Sequence, residues 1–333
     1  MTKKKNILER LTEGPVLGDG GYLLELEKRG YVQAGPFTPE VVIEHPDALA
    51  QLHREFLRAG AEVLQTMTFY ASDDKLATVG MQGKVDDINR TAVQVAREVA
   101  GEGDALVAGN LSLTWAYLPE DPSTPDHVRA LFDRQLQDQL DAGPPDFWIG
   151  ETFSYLGEAL LFVERAKPTG LPVMVTMAFE RPVPRTFEGD TPGEAARKLR
   201  DAGADIMGVN CLNGPEQQLE IAREMRAAVD GYVASQPVAY RTSAEKPDFT
   251  EWPNFPYELD PMQLSRREMA EFAADAAGAG IDYIGSCCGS VQAHVRAMAK
   301  ALGKRTVLER EWRNEGGRAM SAYEYYDHSE TEV

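Results

Sequence analysis

Three cysteines occur in 333 residues, at Cys211, Cys287 and Cys288, and the first 210 positions hold none. An odd number argues against a closed disulfide framework, and the adjacent Cys287 and Cys288 would bridge only with strain. A reducing compartment, the cytoplasm, is the expected setting. Thiolates are soft ligands that suit Zn²⁺, and a catalytic zinc takes three protein ligands and keeps one position open. Three cysteines match that count, whereas an iron–sulfur cluster would want a fourth. The bland alternative is a small buried Cys211 beside an incidental pair, because no CxxC…CxxC spacing is present. A three-thiolate zinc is a weak activator of water, yet it suits holding a substrate thiol ionised near neutral pH. Alkyl transfer to a thiol is the chemistry that follows.

Short apolar runs predict strands at 15–19, 62–66, 105–110, 147–151, 173–177, 206–211, 238–240 and 283–285. Amphipathic stretches between them predict helices at 53–60, 86–100, 130–142, 192–202, 217–229 and 266–280. Eight buried-type strands alternating with helices predict an α/β fold, a (β/α)₈ TIM-type barrel. The expected division is a barrel over 1–308 and a short C-terminal tail over 309–333. An open doubly wound sheet is the alternative, but no GxGxxG follows the first strand. Pro247, Pro253, Pro256 and Pro261, with Trp252, Phe255 and Tyr257 among them, predict a packed proline-rich loop after strand seven. No internal repeat is apparent.

Catalytic groups of such barrels sit at the C-terminal ends of strands. Those ends carry Asp19, Thr66 (with Thr68 and Tyr70 just beyond), Asn110, Glu151, Asn210, Cys211, Cys287 and Cys288. Two carboxylates, a tyrosine and every cysteine are therefore expected on one rim. Asp19, Gly20 and Glu151 could read the ammonium and carboxylate of an amino acid, the latter through backbone N–H groups of the glycine-rich turn. The formal charge of −19 argues against a phosphate-binding surface, so no nucleic-acid partner is expected. No membrane span is expected either, and polar Asn6, Glu9 and Arg10 after Lys3-Lys4-Lys5 leave no visible export signal. His45, His53, His127, His294 and His328 lack metal-ligand spacing and read as packing or solvated residues. Asp73 and Asp74 read as helix N-terminal residues. Glu25, Glu27, Lys28 and Arg29 read as a solvated helix face.

Long motifs then carry a resemblance. GDGGYLLELEKRGYVQAGPFTPE (18–40), HREFLRAGAEVLQTMTFYASDDKL (53–76) and EGDALVAG (102–109) are matched by MGVNC (207–211), SQPVAY (235–240) and YIGSCCG (283–289). Over residues 10 to 302 the chain resembles the zinc-dependent homocysteine S-methyltransferase family, in particular its betaine–homocysteine S-methyltransferases. The resemblance implies a (β/α)₈ barrel and zinc on Cys211, Cys287 and Cys288, with the Tyr70 hydroxyl able to take the fourth position. It implies that Asp19 and Glu151 hold the homocysteine ammonium, with Gly20 at its carboxylate; Thr66, from its place at a strand end, is a further candidate substrate contact.

Departures fall in the donor pocket. The betaine enzymes have tryptophan where this chain has Phe37, and tyrosine where it has Thr152. Trp115 and Trp148 are aromatic where the animal enzymes are not, and Trp115 is the candidate replacement for the lost aromatic wall. The family's long C-terminal oligomerisation arm has no counterpart in 309–333, so a homo-oligomer is left open. The expected activity is zinc-dependent methyl transfer from a small onium donor, glycine betaine first, to homocysteine, giving methionine and dimethylglycine. A sulfonium donor (dimethylsulfoniopropionate or S-methylmethionine) or another betaine is the alternative. A zinc-storing or redox-sensing protein would need none of Asp19, Glu151 and Tyr70.

Overall fold

The structure, a computed structural model, describes residues 4–179 and 182–304. The expected tail 309–333 lies outside them. Eight parallel strands run as β1 (Val16–Leu17), β2 (Val63–Gln65), β3 (Leu106–Ser112), β4 (Phe147–Phe153), β5 (Val173–Met177), β6 (Ile206–Asn210), β7 (Tyr232–Gln236) and β8 (Tyr283–Ile284). Each pairs with its sequence neighbour from β2 to β8, and β8 pairs with β1. A helix follows every strand: Pro46–Ala59, Val85–Ala100, Thr124–Ala142, Leu156–Ala166, Pro192–Ala202, Pro215–Ala228, Arg266–Gly278 and Gln292–Ala301. This is the expected (β/α)₈ barrel.

Strand alternation divides the core. Leu106, Ala108, Phe147 and Ile149 pack inside the barrel with Ile7 and Leu11 of a short N-terminal helix. Val107 and Trp148 face the helical shell. Trp148 is fully buried there, with its indole N–H donating to Thr169 Oγ1 at 2.9 Å, so it belongs to the shell and not to a donor pocket.

The β1–β2 seam has no strand ladder. It is closed by the Glu62 N–H donating to Leu17 O at 2.9 Å and by two carboxylates. Glu62 Oε2 accepts the Leu17 N–H at 2.9 Å, and Asp19 Oδ2 accepts the Gln65 N–H at 2.7 Å. The Glu62 contact belongs to a pattern. An acidic residue precedes each even-numbered strand, and Asp146, Asp205 and Asp282 accept the N–H of Val107, Val173 and Val233 at 2.7, 2.8 and 2.8 Å. Each carboxylate also faces a cation: Lys304, Lys4, Lys167 and Arg226 for Glu62, Asp146, Asp205 and Asp282. The contact thus recurs at every second strand. Its trace in the sequence is an acid placed just before an apolar run, as in Gly60-Ala61-Glu62, Gly203-Ala204-Asp205 and Gly280-Ile281-Asp282.

Two further expectations are corrected. Strand seven is Tyr232–Gln236, upstream of the predicted 238–240, because Pro237 has no N–H to continue a ladder. The Glu25–Arg29 face is also less solvated than expected. Arg29 pairs with Glu25 at 2.8 Å and Glu55 at 2.7 Å, and Lys28 pairs with Asp260 of the proline-rich loop.

Asp205→Ala removes the acceptor of the Val173 N–H and the partner of Lys167, at the end of the barrel away from the strand C-termini. We expect a loss of about 1–3 kcal/mol in urea unfolding, with turnover per folded molecule unchanged.

Candidate active site

The three thiols meet at the C-terminal rim although 75 residues lie between Cys211 and Cys287. Cys211 Sγ lies 3.9 Å from Cys288 Sγ, and Cys287 Sγ lies 4.0 Å from it, with all three within 4.8 Å of one another. The chain 238–240, predicted as a strand, is the clamp between them. Val238 N–H donates to Asn213 O beyond β6 at 3.1 Å, and Ala239 N–H donates to Cys288 O beyond β8 at 2.8 Å. Thiolates bound tetrahedrally at about 2.3 Å would stand about 3.8 Å apart, so the spacing and the soft donor set fit zinc.

The glycines after β1 let this turn sit against the thiol-bearing one. A Cβ on Gly21 would lie 2.7 Å from Cys287 O, and one on Gly20 would lie 2.5 Å from the Phe56 ring. Gly21 N–H donates to Ser290 Oγ at 3.0 Å, so that amide is already partnered.

Both carboxylates are buried. Glu151 Oε1 accepts from Gln65 Nε2 at 2.8 Å and Asn110 Nδ2 at 2.6 Å, and Oε2 accepts from Asn210 Nδ2 at 3.1 Å. Burial pushes its pKa up to about 8 against those bonds. Asp19 accepts from the Tyr22 hydroxyl and the Gln65 N–H, and burial pushes it up to about 6. Gln65 therefore spans the two carboxylates, one through its backbone and one through its side chain. The sequence points to the neighbouring Thr66 instead, because the predicted strand 62–66 ends there. The Thr66 hydroxyl is turned inward instead, to the Asn110 N–H at 2.8 Å and Gln139 at 3.3 Å.

A cavity of about 220 Å³ joins Asp19, Gly20, Thr66, Tyr70, Glu151, Thr152 and Phe37 to the three cysteines. Phe249 and Phe255 of the proline-rich loop close one side, and Phe255 meets Phe37 at 6.0 Å between ring centroids. Trp252 packs behind them on Tyr240. Trp115 stands in the neighbouring cavity, 60% exposed, and its indole N–H donates to the Tyr70 hydroxyl at 3.2 Å. Burial pushes the Tyr70 phenol up to about 12. Lys75 Nζ lies 4.1 Å above the Tyr70 ring. Asp73 and Asp74 open the helix Asp73–Ala77, as expected, and pair with Arg134 and His127.

Among the described residues, the non-glycine residues with left-handed backbone are Phe37, Tyr70, Trp115, Thr152, Cys211 and Leu212, with φ between 49° and 63°. All six line the two cavities at the mouth. Left-handed strain collects where a site must be held in one shape.

A family profile described as homocysteine S-methyltransferase matches residues 16–302. The chain belongs to the homocysteine S-methyltransferase family. Among curated homocysteine S-methyltransferases it is 45% identical over 314 residues to betaine–homocysteine S-methyltransferase 1 of Bos taurus, covering 90% of this chain and 75% of that protein. The Danio rerio enzyme of the same name is 46% identical over 308 residues, covering 90% and 76%. S-methylmethionine–homocysteine S-methyltransferase of Pongo abelii is 44% identical over 310 residues, covering 90% and 82%. Among solved structures, the metallated homocysteine methyltransferase MmuM of Escherichia coli superposes with a TM-score of 0.71 at 19% identity, over 88% of this chain and 99% of that one. That likeness shows a shared barrel fold. No helix among the described residues of this S-methyltransferase is long and apolar enough to cross a membrane.

Asp19, Glu151 and Glu158 are all raised by burial, Glu158 to about 7. An acid with a raised folded-state pKa binds more protons folded than unfolded, so stability falls as pH rises. Urea midpoints of the ligand-free homocysteine S-methyltransferase should therefore fall between about pH 5 and pH 8, and Glu151→Gln should flatten the upper part of that slope.

Proposed function

We propose that this enzyme transfers a methyl group from glycine betaine to homocysteine, giving methionine and dimethylglycine, with zinc on Cys211, Cys287 and Cys288. The observation that carries the reading is one cavity holding three clustered thiols opposite two buried carboxylates. When bound, zinc would keep the homocysteine sulfur ionised near neutral pH.

Glu151, pinned by three amides, and Asp19 take the substrate's ammonium, which supplies the positive charge that two buried carboxylates need. This holds the sulfur at a fixed reach from the cysteines. The sulfur attacks a methyl carbon in line as the carbon–nitrogen bond breaks, and the electron pair stays on nitrogen. The leaving amine is neutral, so no general acid is required. A trimethylammonium group offers no strong hydrogen-bond donor, so the rings of Phe37, Tyr70 and Phe255 hold it through cation–π attraction and exclude water. Three free thiols suit a reducing compartment such as the cytoplasm.

Thr152 supplies no ring at the mouth, and a relative named for S-methylmethionine is as similar as those named for betaine. A sulfonium donor is therefore the second reading. A panel of glycine betaine, dimethylsulfoniopropionate and S-methylmethionine with zinc-loaded enzyme separates the two. Methionine formed fastest from betaine supports the first reading. A sulfonium preference of an order of magnitude or more overturns it. Trp115→Ala should weaken donor binding by only about 0.5–1 kcal/mol, because the ring is largely exposed, with the homocysteine KM unchanged.

Cys211→Ala leaves two thiolates. It should lose most bound zinc in metal analysis and most turnover together. Full zinc with full turnover would remove Cys211 from the ligand set.

A further inference from the structure

Two donors converge on one oxygen of Asp19. The Gln65 N–H reaches Oδ2 at 2.7 Å, and the Tyr22 hydroxyl donates to the same atom. Among the described residues, no hydrogen bond from another residue goes to Oδ1, which leaves that oxygen for a ligand in the cavity that Asp19 lines.

Behind Tyr22 stands a second partner. Its phenol oxygen lies 3.1 Å from Nδ1 of His53, a fully buried residue of the helix Pro46–Ala59. A phenol has one proton, and here it goes to Asp19. His53 must then present Nδ1–H to the phenol oxygen, which leaves Nε2 as a bare acceptor. Nε2 is buried and meets no partner among the described residues, and burial pushes the imidazole pKa down to about 3, so the ring is neutral. Edge contacts fix the phenol in place. The Tyr22 ring meets His53 at 5.2 Å and Phe56 at 5.3 Å between centroids, with interplanar angles of 63° and 76°. These two rings sit three residues apart on one helix face.

We infer that Tyr22, backed by His53, is a positioning residue for methyl transfer: it holds Asp19 ionised by occupying Oδ2 and turns Oδ1 to the ammonium of homocysteine. The inference rests on reading the cavity as the homocysteine site. Asp19 is faced by Tyr22 on its own turn, Glu151 on β4 and Tyr283 on β8, with His53 standing behind Tyr22. Of these, only Tyr22 gives its carboxylate a side-chain hydrogen bond among the described residues. A hydrogen bond to the ionised form lowers an acid's pKa, so removing the phenol O–H raises that of Asp19.

The test is Tyr22→Phe in the zinc-loaded full chain, which keeps the ring and both edge contacts. Homocysteine and donor are varied separately across pH. We expect the homocysteine KM to rise roughly tenfold while kcat and the donor KM stay within about threefold. The acid limb of kcat/KM for homocysteine should move up by about one pH unit. His53→Leu, which removes the donor behind the phenol, should move both quantities in the same direction by less. An unchanged homocysteine KM and acid limb in Tyr22→Phe would overturn the inference, leaving Tyr22 a packing residue. So would a parallel loss in both KM values and kcat with the pH profile unmoved. Absence of homocysteine-dependent turnover in the unsubstituted enzyme would overturn the functional reading itself, before any variant is made.

Discussion

A barrel of eight strands must close between its first and second strands, and here a carboxylate makes part of the closing contact. β1 and β8 each have two residues, and no ladder joins β1 to β2. Asp19 Oδ2 takes the Gln65 N–H, and Glu62 makes the equivalent bond one turn of the seam below. Burying a carboxylate in such a place is costly unless donors meet it. At Asp19 the seam provides one donor and Tyr22 another, and the remaining oxygen is left to the cavity. Fold closure and the lining of the cavity therefore share one side chain, and Gln65 ties it to Glu151 across β2, β3 and β4.

The rim above this seam is strained, and the strain is countered bond by bond. A left-handed non-glycine residue costs of order 1–3 kcal/mol unless its surroundings over-determine it. The Thr152 N–H donates to Asn210 Oδ1 at 2.9 Å, the Tyr70 N–H to Ser112 Oγ at 3.0 Å and the Cys211 N–H to Gln236 O at 3.0 Å. Asn210 also reaches Thr152 Oγ1 and Glu151, so one amide fixes a strained turn and a carboxylate together.

Much of this was legible in the sequence wherever a function depends on a strand end. Asp19, Glu151 and the cysteines follow from locating apolar runs and reading what comes next, and Val173–Met177 and Pro192–Ala202 occupy the predicted spans. The helix Leu156–Ala166 was not predicted, because its run Ala159-Leu160-Leu161-Phe162-Val163 is apolar at successive positions and so does not separate a helix from a strand. Strand seven was displaced because Val238, Ala239 and Tyr240 are more apolar than the strand before them. Those residues are fully buried, but as a clamp between two turns. Tyr22 and His53 left no local signal. Their contact arises where the turn after β1 meets the helix that follows, which periodicity does not report.

The carboxylate and aromatic sides of the cavity differ in how tightly their chemistry is bound to the backbone. Asp19, Gln65, Asn110, Glu151 and Asn210 form one hydrogen-bonded network, so replacing any of them leaves a buried polar group without its partner. Phe37 and Thr152, where the chain departs from the betaine enzymes, are held differently. The Phe37 N–H donates upstream to Gln33 O at 3.3 Å, so a main-chain bond holds that left-handed turn. The Thr152 N–H and hydroxyl instead both meet the Asn210 amide, at 2.9 and 2.8 Å. At Phe37 the side chain can therefore change size while the turn stays put. Under the proposed reading, a turn held by a main-chain bond at Phe37 lets the aromatic side of the cavity vary while the hydrogen-bonded network around Glu151 stays fixed.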